Sequence, residues 1–126
     1  MSMILDSGAL IALDRGDRAM WRRLEMALHD DLPIVTHGGI VGQVWRGGGP
    51  RQAWLARILP SILVQPLDDD LGRRAGELLA ATGQRDVIDA ALALLAEHGD
   101  VVFTSDPADL VPLLEATGRH VEVVPV

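Results

Sequence analysis

The sequence of 126 residues contains no cysteine, and its aromatic side chains are limited to three tryptophans and one phenylalanine. Without cysteine the chain can form neither a disulfide framework nor a thiolate metal site. With so few aromatic residues, the base-stacking platforms of single-strand-binding proteins are not expected. The lack of cysteine is compatible with a cytoplasmic protein, and the cytoplasm is the location that we expect.

Long apolar runs are also missing. No segment approaches the roughly 18 to 20 consecutive apolar residues that a membrane-spanning helix needs. The opening segment, MSMILDSGALIALDRGD, has no basic start and carries an acid at Asp6, so it does not resemble a signal peptide. We therefore expect no association with a membrane.

Lysine is absent as well: the 11 basic residues are all arginine, against 18 acidic residues, and the net charge is −7. This balance excludes a general basic surface for nucleic acid, although it leaves room for a local patch. The length suits one domain with its own core rather than two. We predict a single domain over residues 1–126.

Short apolar segments alternate with segments of helical spacing along the whole chain. The expected strands are residues 3–5, 34–36, 62–64, 101–103 and 121–124. The expected helices are one that begins after Asp6 and others over residues 17–32, 40–46, 50–59, 68–81, 86–98 and 107–116. This alternation predicts an α/β fold with a mostly parallel sheet of about five short strands and helices on both faces.

Two aspartates follow predicted strands directly. Asp6 follows the first strand, and Asp106 ends the segment VVFTSD. Ligands of open parallel sheets bind at the carboxyl ends of the strands, so both carboxylates would share that edge if their strands are central. An alternative remains open for each, because an aspartate at the start of a helix is a common N-cap and Pro107 suits the first helical position.

A third acid, Asp89, lies in the segment VIDAALALLA, where every other residue is apolar. Such a helix is expected to be buried, and a buried carboxylate is costly unless it is paired or binds a metal. Asp86 is the predicted N-cap of this helix, whose N-terminus should lie at the same edge as Asp6 and Asp106. Carboxylates that converge without a lysine to neutralise them favour a hard divalent cation such as Mg²⁺ or Mn²⁺, which mostly serves phosphate chemistry.

The segments ILDSGALIAL, VIDAALALLAEHG and VVFTSDPADL, in this order, resemble the PIN-domain ribonucleases, and most closely the VapC-type toxins of type II toxin–antitoxin pairs. The resemblance extends over the whole chain. It implies a PIN-like sheet with helices on both faces and a metal-dependent endoribonuclease that cleaves RNA phosphodiester bonds with Mg²⁺ or Mn²⁺. The implied metal ligands and catalytic acids are Asp6, Asp89 and Asp106, with Asp109 and Asp86 as possible accessory acids.

At one position the sequence departs from the family pattern. A glutamate is expected in the helix after the second strand, and the segment VGQVWRGG has Gln43 there. Gln43 is therefore assigned to the catalytic set as a neutral oxygen donor. The alternative is a catalytically weakened relative that acts mainly as a partner-binding module.

The resemblance also implies partners: an RNA substrate, a VapB-like antitoxin and a second copy of the chain in a homodimer. Arg46, beside the glycines 47–49, is a candidate contact to RNA phosphate or to an acidic partner. A response-regulator receiver also gathers acids at strand ends, but it would need paired acids after the first strand and a late lysine, and this chain has neither.

Overall fold

The computed structural model describes all residues from 1 to 126, and its centre is a five-stranded sheet in which every pair of neighbouring strands is parallel. The strands, in the spatial order β3-β2-β1-β4-β5, are β1 (Met3–Leu5), β2 (Ile34–His37), β3 (Leu63–Gln65), β4 (Val101–Thr104) and β5 (Glu122–Pro125). The helices are α1 (Ser7–Asp14), α2 (Arg18–His29), α3 (Gly38–Val44), α4 (Ala53–Ile58), α5 (Asp69–Thr82), α6 (Val87–Leu95) and α7 (Pro107–Ala116). The predicted α/β class and the strand count are confirmed.

The order of the strands reverses between β1 and β4. From β1 the chain moves outward to β2 and β3, and it then crosses to the other side of β1 to form β4 and β5. Because parallel crossovers are right-handed, the connections on the two sides of β1 lie on opposite faces of the sheet. Helices α1–α4 therefore pack on one face and α5–α7 on the other, as predicted. A ligand crevice is expected where the order reverses, at the carboxyl ends of β1 and β4.

The core follows from this layering. All three residues of β1 are buried, and so are Val102, Phe103 and Thr104 of β4, because helices cover both faces of these central strands. The edge strand β3 is more open, with Leu63 and Val64 exposed. No helix of the protein is long and apolar enough to cross a membrane.

Several element ends differ from the sequence prediction, and each difference has a local cause. Helix α2 ends at His29 rather than at residue 32, because Asp31 adopts a positive φ of 54° ahead of the proline. Helix α3 begins at Gly38 rather than at residue 40, since the side chain of His37 caps it. The helix expected over residues 50–59 is divided into α4 and two flanking 3₁₀ turns, Pro50–Gln52 and Leu59–Ser61.

Candidate active site

Asp6 follows β1 directly and is almost fully buried, with 5% of its surface exposed. Its Oδ1 atom accepts a hydrogen bond from the backbone N–H of Ala9 at 2.9 Å, so the side chain caps α1. Its Oδ2 atom accepts a hydrogen bond from the backbone N–H of Ser105 at 3.2 Å, at the end of the neighbouring strand β4. The carboxylate is therefore both a cap and a link between the ends of the two central strands.

Asp106 occupies the N-cap position of α7, but its side chain makes no capping hydrogen bond. Its backbone N–H donates to Oγ1 of Thr104 at 2.8 Å, which fixes the turn out of β4. The capping alternative considered for Asp106 is therefore wrong. Its exposed carboxylate is free of the helix end and lies within hydrogen-bonding reach of the carboxyl group of Asp109.

Asp89 lies in the first turn of α6 and is half-buried. The helix begins at this edge because Oδ1 of Asp86 accepts hydrogen bonds from the backbone N–H groups of Ile88 and Asp89, at 2.9 and 3.2 Å. The following residues Ala90–Ala93 are fully buried, so the prediction of a buried helix is confirmed. Asp89 is the one charged residue on this helix, and it lies in the first turn, at the edge that carries the other acids.

The pKa of Asp89 is raised from 3.8 to about 6, first because burial disfavours the charged form. The negative charges of four neighbours raise it further, and in order of effect they are Asp86, Asp109, Asp6 and Asp106. These four acids therefore all lie close enough to Asp89 for their charges to raise its pKa. The structure brings together every acidic residue that the sequence assigned to the site.

A second perturbed carboxyl group belongs to Asp109, one turn into α7. Its pKa is raised chiefly by a hydrogen bond with the side chain of Asp106, and then by the negative charge of Asp106. A hydrogen bond between two carboxyl groups needs a proton on one of them, so Asp109 retains its proton at a higher pH than an isolated aspartate would.

The donor chemistry of the cluster fits a hard divalent cation. Its donors are carboxylate oxygens, which Mg²⁺ and Mn²⁺ prefer, and their mutual repulsion is visible in the raised pKa of Asp89. No arginine forms an ion pair with any of the five acids, since the ion pairs of the chain join Asp30, Asp69 and Asp70 to other residues. No three acidic or histidine side chains, however, are already arranged as a ligand set, so rotation of side chains would have to accompany binding.

Gln43 lies in the last turn of α3 and is exposed. Its helix starts at the carboxyl end of β2, on the edge that carries the acids. No side-chain hydrogen bond joins Gln43 to the acidic cluster, and its assignment to the catalytic set stays a prediction.

Arg46 lies just past α3, and its guanidinium group is used locally. Its Nη1 atom donates hydrogen bonds to the backbone oxygens of Gly42 and Trp45, at 3.1 and 2.6 Å. The exposed side chain therefore serves the end of α3 in this structure. Its role in contacting RNA or an acidic partner stays a prediction.

A polar cavity of about 340 Å³ opens beside Asp89. It is lined by Gly83, Gln84, Arg85, Asp86, Asp89, Asp109 and Leu113. Arg85 is the only cation in this lining, it is exposed, and it forms no ion pair. The sequence analysis missed this residue, and its position just before Asp86 is the only signal that could have indicated it.

His37 is a second residue that the sequence analysis left without a role. It ends β2 and is fully buried. Its Nε2 atom lies 2.9 Å from the backbone oxygen of Ile88, and its Nδ1 atom accepts a hydrogen bond from the backbone N–H of Gly39 at 3.1 Å. Burial lowers the pKa of His37, and the hydrogen bond to Ile88 opposes that shift. A histidine placed where a strand ends at the ligand edge was the available signal.

Of the comparisons with known proteins, the one with solved structures finds a similar fold. No family model matches the sequence, and no curated protein sequence matches it. Among solved structures, the chain is similar to a chain in the crystal structure of VapBC2 from Rickettsia felis bound to a DNA fragment from their promoter. The TM-score is 0.69, the sequence identity is 14%, and the alignment covers 98% of this chain and 99% of that chain. The PIN-like fold that the sequence resemblance implied is thus confirmed along the whole length.

Proposed function

We propose that this protein is a metal-dependent endoribonuclease of the VapC kind and the toxin of a type II toxin–antitoxin pair. The observation that carries the proposal is the gathering of five aspartates without an ion-pair partner at the crevice between β1 and β4, where Asp89 has a pKa raised to about 6. The fold-level similarity to a VapBC2 chain supports the same function. The absence of cysteine fits a cytoplasmic location, where RNA is available.

In this proposal Asp6, Asp89 and Asp106 hold Mg²⁺ or Mn²⁺. When bound, such an ion lowers the pKa of water and offsets charge on the phosphodiester in the transition state. Asp6 is oriented by the N–H groups of Ala9 and Ser105, so its position does not depend on the ion. Asp89 loses its proton when it becomes a ligand, which makes binding stronger above pH 6 than below it.

The remaining polar residues have supporting roles. Asp109, whose pKa is raised through Asp106, can hold a proton taken from the attacking water. Asp86 fixes the first turn of α6 and thereby the backbone of Asp89. Gln43 supplies an amide oxygen where the family pattern has a carboxylate. Arg46 and Arg85 are the candidate contacts for RNA phosphate, because guanidinium groups bind phosphate in a bidentate manner.

Cleavage of RNA tests the proposal directly. Purified protein is mixed with a structured RNA and Mg²⁺ or Mn²⁺, with EDTA in a parallel reaction. We expect metal-dependent cleavage by the wild type and none by Asp6→Asn. The matched control is Asp100→Asn, since Asp100 is equally buried and accepts N–H bonds from Ser2 and Glu97 at the opposite edge of the sheet. Cleavage that survives both EDTA and Asp6→Asn would contradict the proposal.

The second candidate function is a partner-binding module with little or no cleavage activity. Gln43 favours it, because a neutral amide supplies one less negative charge to a metal than glutamate would. A Mn²⁺ titration beside the cleavage assay separates the two: binding of Mn²⁺ without cleavage of RNA would contradict the nuclease and favour the second function.

Two partners belong to the proposal. A VapB-like antitoxin that places a basic side chain over the acidic edge would suit the net charge of −7. A homodimer is the proposed state of the free toxin. Light scattering over a range of concentrations should give twice the 13.5 kDa mass of the chain, and a monomer at every concentration would contradict this part.

A further inference from the structure

His37 connects two of the helices that form the acidic edge. It caps α3 through Nδ1, which accepts the hydrogen bond from Gly39, and it reaches α6 through Nε2, which contacts the backbone oxygen of Ile88. An imidazole whose Nδ1 accepts must carry its proton on Nε2, so Nε2–H donates to Ile88. One neutral ring therefore makes both bonds at once.

The surroundings of His37 are closely packed. A methyl group added at Gly39 would lie 2.6 Å from Cδ1 of Ile88 and 2.9 Å from Cε1 of His37, so the start of α3 approaches both without space for a side chain. His37 has no exposed surface. The ring is thus held between β2, α3 and α6. A side chain of different length or different hydrogen bonding at this position would have to move one of these elements.

The contact is made at a sensitive position of α6. Ile88 immediately precedes Asp89, and both backbone N–H groups are already held by Asp86 from the side facing solvent. The bond from His37 reaches the same turn from the interior. The first turn of α6 is therefore fixed on both sides, and Asp89 lies in it.

We propose that His37 is a positioning residue for Asp89: its Nε2–H bond to Ile88 sets where the first turn of α6 lies relative to the ends of β1 and β2. Serine or threonine would be the ordinary N-cap for α3, and neither could reach Ile88. Only the effect of His37 on metal binding rests on the proposed function. The placement of the turn itself is independent of any metal.

Two substitutions separate the two bonds of the ring. His37→Asn retains a polar atom near the position of Nδ1, so it can cap α3, but it is too short to reach Ile88. His37→Gln retains a donor near the position of Nε2, so it can reach Ile88, but it loses the cap. Trp21→Phe is the control for the loss of one hydrogen bond between elements, because Nε1 of Trp21 donates to the backbone oxygen of Leu13 at 2.8 Å on the other face of the sheet.

Amide hydrogen exchange of the metal-free protein provides the first test. For His37→Asn we expect the amides of Ala90 and Ala91 to exchange at least about tenfold faster relative to the other core amides, which is 1.4 kcal/mol of lost protection. His37→Gln and Trp21→Phe should leave that ratio within about twofold of the wild type. Equal effects of the asparagine and glutamine substitutions, or no effect of either, would overturn the positioning role.

Calorimetric titration with Mn²⁺ provides the second test. Residues that orient metal ligands typically change affinity by about 10- to 100-fold when they are replaced. We expect a loss in that range for His37→Asn and a loss of less than about threefold for His37→Gln. Wild-type affinity in His37→Asn would overturn the consequence for the metal. A wild type that binds no Mn²⁺ would instead refute the proposed function, and the exchange experiment would still decide the role of His37.

Discussion

Asp89→Asn should stabilise the metal-free protein above pH 6. The pKa of Asp89 is raised from 3.8 to about 6 on folding, so the folded protein binds this proton more tightly than the unfolded chain does. The penalty for ionising Asp89 is therefore absent below pH 3.8, grows as the pH rises to about 6, and is complete above it. Asparagine has the same shape and no charge, and it removes the penalty.

The magnitude follows from the shift. A change from 3.8 to about 6 corresponds to about 3 kcal/mol at 1.36 kcal/mol per pKa unit. Asp89 is only half-buried, so solvent screening reduces this figure, and we expect about 1 to 2 kcal/mol. The neighbouring acids remain in the variant, so the difference from the wild type isolates the contribution of Asp89.

Urea denaturation in EDTA at pH 4 and at pH 7.5 measures the effect. Asp89→Asn should raise the free energy of unfolding by about 1 to 2 kcal/mol at pH 7.5 and by much less at pH 4. Asp100→Asn is the control, because its two oxygens accept one backbone N–H bond each, an amide keeps only one of these acceptors, and the substitution should therefore destabilise the protein. If Asp89→Asn is neutral or destabilising at pH 7.5, burial and the neighbouring acids do not raise the pKa of Asp89 as we infer.

Adding Mn²⁺ should reverse the order of stability of the wild type and Asp89→Asn. A ligand at 100 times its Kd stabilises the folded state by about 2.7 kcal/mol, and the wild type should gain this while Asp89→Asn gains much less. The wild type would then be the more stable protein at pH 7.5. A gain of the same size in both proteins would show that the ion binds elsewhere.

Three further experiments test separate parts of the edge, two of them with a second variant for comparison. Gln43→Glu should tighten Mn²⁺ binding in calorimetry because it adds a carboxylate, whereas Asp6→Asn should weaken it; an unchanged affinity in Gln43→Glu would place Gln43 outside the site. Gly8→Ala should lower the free energy of unfolding by about 1 to 3 kcal/mol in urea denaturation, because the added methyl group would overlap the side chain of Ser105. Gly76→Ala, in open space on α5, should instead raise it by up to about 1 kcal/mol. His37→Gln should lose less stability than the wild type as the pH falls below 6.5. Burial lowers the pKa of His37 in the folded wild type, so the unfolded chain takes up a proton that the folded protein resists. Parallel losses of stability in the two proteins would contradict the neutral ring.

The general plan of the site could be predicted from the sequence because it depends on topology. Alternating short strands and helices imply a parallel sheet, and the acids that follow β1 and β4 must then meet at one edge. Asp89 could be assigned to the same site because it is the single acid on an otherwise apolar helix, close to the N-terminus that lies at this edge. Residue order and hydrophobic pattern are sufficient for these inferences, and no knowledge of side-chain contacts is required.

Finer features depend on contacts between distant parts of the chain and were not predictable. The bond from Ser105 to Asp6 joins residues 99 positions apart, and that from His37 to Ile88 joins residues 51 positions apart.

Capping and the proposed metal binding are not competing explanations for these acids, because a carboxylate oxygen that accepts a backbone N–H bond still has a second lone pair for a cation. Asp6 and Asp86 cap α1 and α6, while Asp106 and Asp89 use neither oxygen on a helix end. The N-termini of α1, α6 and α7 all point at the cluster, and the positive ends of their dipoles offset part of its charge. The chain can therefore fold with five acids together and no metal. Burial and the incompletely offset charges of its neighbours together raise the pKa of Asp89 to about 6, and a divalent cation bound at this edge would relieve the part that is repulsion.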